Sequence, residues 1–247
     1  MAATRSRYHL LDEIRGFCIL LMVVYHAFYT LATSFGLSLA ADLFNIFRPV
    51  EPLFAGIFIL LSGFSCRLSK NNLKRGLLLA AVAVALSVFL WFVMPSQMIW
   101  FGILHCLAAC ILLFALLRKA LNRIPTWLGV LLSAALFALT WGVPYYNGGY
   151  FGIPPFAVYW PIAWQQVDFL LPFGMSTLYT TDLFPLFPWF FCFLAGTFLG
   201  NWKQSLPKCA KQLHIRPLAF MGRYSLWIYL FHQPVIYGLA TLIDSIL

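Results

Sequence analysis

Long apolar runs follow one another along this chain, separated by shorter polar or basic segments. A helix needs roughly 17–25 mostly apolar residues to cross a bilayer, and each run is about that long. The seven runs cover residues 14–37, 49–68, 76–94, 101–117, 127–143, 185–200 and 218–247. The pattern predicts an all-α bundle of about seven transmembrane helices, forming a single domain over residues 1–247.

The segment between the fifth and sixth runs, residues 144–182, has a different character. It contains no Lys or Arg, is rich in aromatic residues, and is interrupted by Pro144, Pro154, Pro155, Pro161 and Pro172. Since proline breaks helices, we expect a structure on the outer face that lies on or dips into the bilayer, with a short helix over residues 162–171. Long loops of this kind are often lids or binding segments. An aromatic belt anchored in the outer leaflet is an equally good interpretation.

Composition identifies lipid as the solvent for much of the chain. The 247 residues are 62% hydrophobic and 9% charged, with a mean hydropathy of +0.86. A soluble domain has about 45–50% apolar and about 25% charged residues. Five of the six cysteines lie in apolar runs, which indicates free buried thiols rather than a disulfide framework. Cys106 and Cys110 are one helical turn apart but lack further soft ligands, so we predict no metal site.

The basic residues predict the orientation of the bundle, because Lys and Arg accumulate on the cytoplasmic side of membrane proteins. With the N-terminus inside, only Arg48 of the 16 basic residues falls outside. The cytoplasmic set comprises Arg5, Arg7, Arg15, Arg67, Lys70, Lys74, Arg75, Arg118, Lys119, Arg123, Lys203, Lys208, Lys211, Arg216 and Arg223. These cations flank helices that face anionic lipid, so the net charge of +9 needs no nucleic-acid partner.

Three histidines fall within the predicted spans, where ionisable residues are costly and usually functional. At about 1.5 Å per residue, His26 lies roughly 18 Å above the start of the first span, and His232 roughly 21 Å above the start of the last. His105 lies about one turn from the outer end of the fourth span. All three are predicted in the outer half of the bilayer, which suggests a shared function there.

The first helix carries a polar stripe. At about 100° per residue, Asp12, Arg15, Met22 and His26 share one face, which joins a charged cytoplasmic end to a polar centre past mid-membrane. A protein that handles a charged donor inside and an acceptor outside needs such a face. The alternative is a packed helix in which Arg15 pairs with Asp12 at i,i+3.

Weaker candidates accompany the histidines. Ser62 and Gly63 form a small-residue pair that more often serves helix packing than chemistry. Gln233 precedes Pro234, which frees a backbone carbonyl for a ligand or water, although a plain kink is the commoner outcome. Asp182 lies near the outer face, where a carboxylate can orient an imidazole or simply be solvated.

Several motifs resemble the heparan-alpha-glucosaminide N-acetyltransferase catalytic-domain family, a group within the transmembrane acyltransferases. The motifs are LDEIRG at residues 11–16, LMVVYH at 21–26, FILLSGF at 58–64, FGILH at 101–105, TDLFPLFPW at 181–189 and GRYSLWIYLFHQP at 222–234. The resemblance covers almost the whole chain, which closely resembles the short bacterial members. One departure is Thr30, one turn after His26, where those members often carry Asp.

The resemblance implies transfer of an acetyl or other acyl group from cytosolic acyl-CoA to a hydroxyl or amine on the extracytoplasmic side. The acceptor would be a glycan or glycolipid, the co-substrate acetyl-CoA or another acyl-CoA, and the location the cell membrane, in bacteria the inner membrane. We predict catalytic roles for His26, His105 and Asp182. Substrate or CoA binding is predicted for Asp12, Arg15, Ser62, Arg223, His232 and Gln233, with Lys70, Lys74 and Arg75 as weaker candidates for the CoA phosphates.

Two other classes of function compete with the enzyme. A lipid or solute transporter usually shows internal repeats with interrupted helices in matching positions, and the sequence contains no such repeat. A non-catalytic membrane scaffold would account for Thr30 but leaves three outer histidines unexplained.

Overall fold

The computed structural model describes residues 8–143, 150–153, 156–159, 181–205, 208–212 and 214–245. Helices dominate these residues. They are α1 His9–Phe35, α2 Ser38–Phe47, α3 Glu51–Cys66, α4 Asn72–Val93, α5 Ile103–Leu121, α6 Thr126–Thr140, α7 Leu186–Leu199, α8 Arg216–Arg223 and α9 Ser225–Asp244. Short 3₁₀ turns cover Pro95–Gln97, Gly200–Ser205 and Lys208–Lys211, and two-residue strands β1 Tyr150–Phe151 and β2 Val158–Tyr159 pair antiparallel.

All seven predicted runs contain a helix, and the prediction of a helical multi-pass membrane protein is confirmed. By length and composition, α1, α4, α5 and α9 each suffice to cross a membrane. Helices α2 and α3 together make a fifth candidate span, bent by 54° at the break between them. Helices α6 and α7 have only 15 and 14 residues, so the count of seven spans stays a prediction.

The structure differs from the sequence prediction in two places. Helix α2 lies where only a connection was expected. The last predicted span is two helices, because Tyr224 (φ −102°, ψ 18°) leaves helical geometry and separates α8 from α9. The predicted helix over residues 162–171 lies outside the described residues.

Local chemistry accounts for some helix ends. Gly36 ends α1 in the left-handed conformation (φ 66°, ψ 20°), and its N–H donates to the carbonyl of Leu31. A glycine adopts this conformation without the steric cost that a Cβ would add. The side chain of Asn71 begins α4 by accepting a 2.9 Å hydrogen bond from the N–H of Lys74.

The chain groups into two compact units. The first comprises Met1–Phe58 and Ser205–Leu247, and within it α1 packs against α2, α8 and α9. The second comprises Ile59–Gln204, where α4 packs on α5, and α7 packs on α5 and α6. The prediction of a single domain over residues 1–247 is not tested by this grouping and stays a prediction.

Glycines let helices touch backbone to backbone within the first unit. A Cβ on Gly16 of α1 would overlap the carbonyl of Leu218 on α8, and a Cβ on Gly222 would overlap the carbonyl of Asp12 on α1. The two helices therefore approach each other at a pair of reciprocal glycine contacts, as small residues allow in membrane proteins.

The second unit repeats this arrangement between α3 and α7. A Cβ on Gly63 would overlap the carbonyl of Phe193, and a Cβ on Gly196 would overlap the carbonyl of Leu60. The neighbouring Ser62 is buried, with 7% of its surface exposed. Packing is therefore the role that the structure gives to the Ser62-Gly63 pair, and the predicted part of Ser62 in substrate binding stays a prediction.

Buried thiols and exposed apolar side chains fit a membrane protein. Cys18, Cys66, Cys106, Cys110 and Cys192 are free, and the first four are buried. Among the residues that the structure describes, no group of three or more His, Cys, Asp or Glu side chains is arranged to hold a metal ion. The surface of α4 exposes Leu77, Leu78, Val84, Val88, Phe89, Trp91 and Phe92, a stretch of apolar surface that lipid can cover.

Candidate functional site

Two of the predicted histidines meet in the first unit. His26 lies in the middle of α1 and His232 in the second turn of α9, and their ring centroids are 5.0 Å apart. The ring of Tyr25 packs edge-on against His26 at 5.4 Å. The structure thus brings together two imidazoles that are more than 200 residues apart in the sequence.

The protonation of His232 follows from its partner. Its Nδ1 lies 2.6 Å from the carbonyl oxygen of Tyr229. A carbonyl only accepts hydrogen bonds, so Nδ1 carries the proton and the neutral ring has its lone pair on Nε2. That Nε2 is buried and has no hydrogen-bond partner among the described residues. His232, whose ring contacts that of His26, therefore has an acceptor nitrogen without a hydrogen-bond partner among the described residues.

Gln233 is held by a residue that the sequence prediction did not include in the site. The hydroxyl of Thr30 donates a 3.0 Å hydrogen bond to Oε1 of Gln233, and Thr30 is 5% exposed. Thr30 therefore bonds the residue next to His232. The position of Thr30, one turn after His26, was the sequence signal that could have included it in the site. Sequence spacing alone does not reveal a hydrogen-bond partner on α9.

The N-terminal end of the α1 stripe holds an ion pair. Nη1 of Arg15 lies 3.2 Å from Oδ1 of Asp12, and Asp12 is buried. This is the i,i+3 pairing that the sequence offered as the packed alternative to CoA binding. Arg223 lies at the end of α8 and is exposed. Binding of substrate or CoA by Asp12, Arg15 and Arg223 stays a prediction.

Glu13 is a buried acidic residue that sequence analysis did not single out. Its Oε1 accepts hydrogen bonds from the N–H groups of His214 (2.7 Å) and Ile215 (3.1 Å), and Oε2 lies 3.5 Å from Nδ1 of His214. Glu13 is 5% exposed. Because Glu13 accepts hydrogen bonds from the backbone N–H groups just before α8 begins, we assign it the role of holding α8 against α1.

His105 lies in the second unit, in the first turn of α5. Its Nε2 is 3.2 Å from the hydroxyl of Ser87 on α4, and that hydroxyl is 2.6 Å from the carbonyl of Ile99. The ring of Phe101 is 5.9 Å away. Nδ1 of His105 is buried and has no hydrogen-bond partner in the part of the chain that the structure describes. Ser87 was not among the predicted site residues, since serine in an apolar helix gives no distinguishing signal.

Asp182 lies at the same end of α5 as His105. Its Oδ2 accepts a 3.2 Å hydrogen bond from the N–H of Ile103, the first residue of that helix. A carboxylate is favoured at a helix N-terminus by the unsatisfied N–H groups and the helix dipole. A Cβ on Gly102 would overlap Oδ2, so glycine at this position makes room for the carboxylate. The predicted catalytic role of Asp182 stays a prediction.

A short pairing of backbone segments holds Asp182 in place. Phe101 bridges Leu183 in parallel, and the N–H of Phe184 donates to the carbonyl of Phe101 at 3.0 Å. The N–H of Thr181 donates to the carbonyl of Met98 at 3.1 Å. The FGILH and TDLFPLFPW motifs therefore contact each other through backbone hydrogen bonds.

The predicted site residues thus fall into two groups. His26, His232, Gln233, Asp12, Arg15 and Arg223 belong to the first unit, whereas His105, Asp182 and Ser62 belong to the second. The first group contains the close pair of imidazoles. The second contains a histidine bonded to a serine and a carboxylate at a helix end.

Residues 7–234 match a family model described as heparan-alpha-glucosaminide N-acetyltransferase, catalytic. Comparisons with curated proteins and with solved structures gave no match. The family match spans both units and includes every predicted site residue.

Proposed function

This chain belongs to the heparan-alpha-glucosaminide N-acetyltransferase catalytic-domain family, and from that premise we propose that it is a membrane-embedded acyltransferase. The donor is acetyl-CoA or another acyl-CoA on the cytoplasmic side. The acceptor is a hydroxyl or amine of a sugar, in a glycan or glycolipid, on the extracytoplasmic side. The protein resides in the cell membrane, the inner membrane in a bacterium.

The observation that carries this proposal is the pair of imidazoles formed by His26 and His232. Acyl transfer to an alcohol or amine needs a base that removes a proton as the nucleophile attacks. Histidine serves this purpose when its ring is neutral and positioned. Nε2 of His232, which has no hydrogen-bond partner among the described residues, accepts a hydrogen bond from the acceptor, while His26 acts as the base.

The proposed step conserves atoms and charge. The acceptor oxygen or nitrogen forms a bond to the acyl carbon, and its proton moves to the imidazole of His26. The carbon–sulfur bond of the thioester breaks, and the CoA thiolate takes up the proton that the imidazolium releases. Positioned proton transfer of this kind contributes roughly 10²–10⁴-fold to a rate.

The donor binds at the basic cytoplasmic end of the polar stripe, with Arg15 at its phosphates. Arginine suits phosphate because of its permanent charge and planar set of donors. This assignment requires the proposed topology of seven spans with a cytoplasmic N-terminus. That topology is supported by the distribution of the 16 basic residues, because it places 15 of them on the cytoplasmic side.

The test is acetyl transfer by the purified protein in lipid. We expect label from [¹⁴C]acetyl-CoA to appear in an amino-sugar or lipid-linked sugar acceptor, detected by mass spectrometry, and to depend on His26. The competing transporter would instead move acceptor or acyl-CoA across vesicles without forming an acetylated product. A scaffold would do neither, so absence of product over a broad set of sugar acceptors contradicts the enzyme proposal.

A further inference from the structure

Ser87 determines which nitrogen of His105 carries the proton. A serine has one hydroxyl proton, and the 2.6 Å distance from Oγ to the carbonyl oxygen of Ile99 places that proton in a hydrogen bond to the carbonyl. Toward His105, 3.2 Å away, the same oxygen can then only accept. Nε2 of His105 must therefore be the N–H donor of this pair.

The other ring nitrogen is consequently a lone-pair acceptor. A neutral imidazole has one N–H, so Nδ1 of His105 bears none. This atom is buried and finds no donor among the residues that the structure describes. A buried polar atom without a partner is destabilising, which favours a bound donor group at this position.

We propose that Nδ1 of His105 is a binding point for an O–H or N–H group of a polyol or amino sugar, and that Ser87 is the positioning residue that keeps it an acceptor. Such ligands carry several donors in a small volume. The carboxylate of Asp182, a group that only accepts when ionised, lies at the same end of α5. This binding site lies within the second unit, and it does not depend on the proposed acyltransferase activity.

The first measurement is the tautomer, read by ¹⁵N–¹³C correlation NMR on ¹⁵N,¹³C-histidine-labelled protein in lipid, with His105 assigned by its loss in His105→Gln. We expect His105 to be protonated at Nε2. Ser87→Ala should give a mixture of tautomers, and Ser87→Thr, which keeps the hydroxyl, should restore the wild-type signal. His232, protonated at Nδ1, serves as the internal control. An Nδ1-protonated His105, or an unchanged spectrum in Ser87→Ala, overturns the proposal.

The second measurement is ligand binding with glucosamine as the probe. Saturable movement of the His105 Nδ1 resonance is expected with glucosamine but not with trimethylglycine, which has no N–H or O–H donor. Ser87→Ala should weaken the affinity for glucosamine roughly fivefold, the scale of one hydrogen bond. His105→Asn, which keeps an acceptor near the Nδ1 position, should bind glucosamine better than His105→Gln.

If the His105 Nδ1 resonance does not shift when glucosamine is added, the binding site is contradicted even if the tautomer is as expected. Neither measurement uses acetyl transfer. Failure of this proposal is therefore distinguishable from failure of the proposed enzyme activity, which the labelled acetyl-CoA assay tests separately.

Discussion

His232 and His105 adopt opposite tautomers, and a different partner fixes each one. A backbone carbonyl three residues earlier fixes the proton of His232 on Nδ1, whereas a serine on another helix fixes that of His105 on Nε2. Each ring is left with one buried nitrogen that can only accept. At these positions the protein offers lone pairs to polar donors, as expected where alcohols or amines are bound in a membrane.

Replacing His26 tests the proposed base. His26→Ala should lower kcat for acetyl transfer by roughly 10²–10⁴-fold, because it removes positioned proton transfer. CoA affinity should stay nearly unchanged, and His9→Ala, in the first turn of the same helix, should retain activity. The measurements are steady-state kinetics and equilibrium CoA binding. If His26→Ala keeps wild-type turnover while His105→Ala abolishes it, the assigned roles are reversed.

Replacing Arg15 tests the donor site. Arg15→Gln should weaken CoA binding at least roughly fivefold, since it removes a charge-assisted hydrogen bond to phosphate. Arg48→Gln is the matched control, because Arg48 is the single cation predicted on the opposite side. Isothermal titration with CoA measures both variants. Unchanged affinity in a well-folded Arg15→Gln protein would leave Arg15 with only its ion pair to Asp12.

Sequence reasoning reached some of these residues and missed others for physical reasons. Helical rise placed His26 and His232 at a similar depth, and the structure puts their rings in contact. Thr30 and Ser87 were missed as site residues, because a hydroxyl in an apolar helix is informative only once its partner on another helix is known. Glu13 was missed because its partners are backbone N–H groups, which every residue except proline has.

At the scale of helices, the glycine contacts define where neighbours meet. Without a solvent-driven attraction between helices in lipid, close packing supplies much of their association. The α1–α8 contact also holds the LDEIRG and GRYSLWIYLFHQP motifs together, since Gly16 and Gly222 belong to them. The glycines of both motifs therefore have a packing function that is distinct from chemistry.

Enlarging one of these glycines should destabilise the protein. Gly222→Ala places a methyl group on the backbone carbonyl of Asp12, which cannot rotate away, and overpacking of this kind costs about 1–3 kcal/mol. Gly238→Ala in α9 is the control, because nothing lies within 4 Å of its Cβ position. We expect a lower Tm for Gly222→Ala and an unchanged or higher Tm for Gly238→Ala, in detergent-solubilised protein. Equal Tm values would show that α8 can move aside.

Apolar run length predicted the helices well but not their interruptions. Helix α2 was missed because its 10 residues are too few to cross a bilayer, so the length of apolar runs marks this segment only as a connection. No proline lies next to the break at Tyr224, so the sequence has no local signal for it. It coincides with the end of a helix whose Gly222 contacts α1, a tertiary constraint that hydropathy does not record.

For the whole molecule, the asymmetry of basic residues predicts sidedness. Lys70→Cys should be labelled by a membrane-impermeant maleimide only from the cytoplasmic side, and Gly148→Cys only from outside. The background should be low, because four of the five described thiols are buried. Labelling of inverted and right-side-out vesicles provides the measurement. Labelling of both positions from the same side would contradict the seven-span arrangement.

The reciprocal glycine contacts have a further chemical consequence. Where a Cβ would overlap a carbonyl oxygen, the glycine has a Cα hydrogen pointing along nearly the same direction, so the geometry of each contact suits a Cα–H···O hydrogen bond. Among the described residues, each unit has two contacts of this kind, one from a glycine on each helix of the pair. Hydrocarbon tails have no oxygen with which to replace them. Lipid therefore cannot compete for these surfaces as it competes for a leucine, and the helix pairs gain a small polar attraction that persists inside the bilayer.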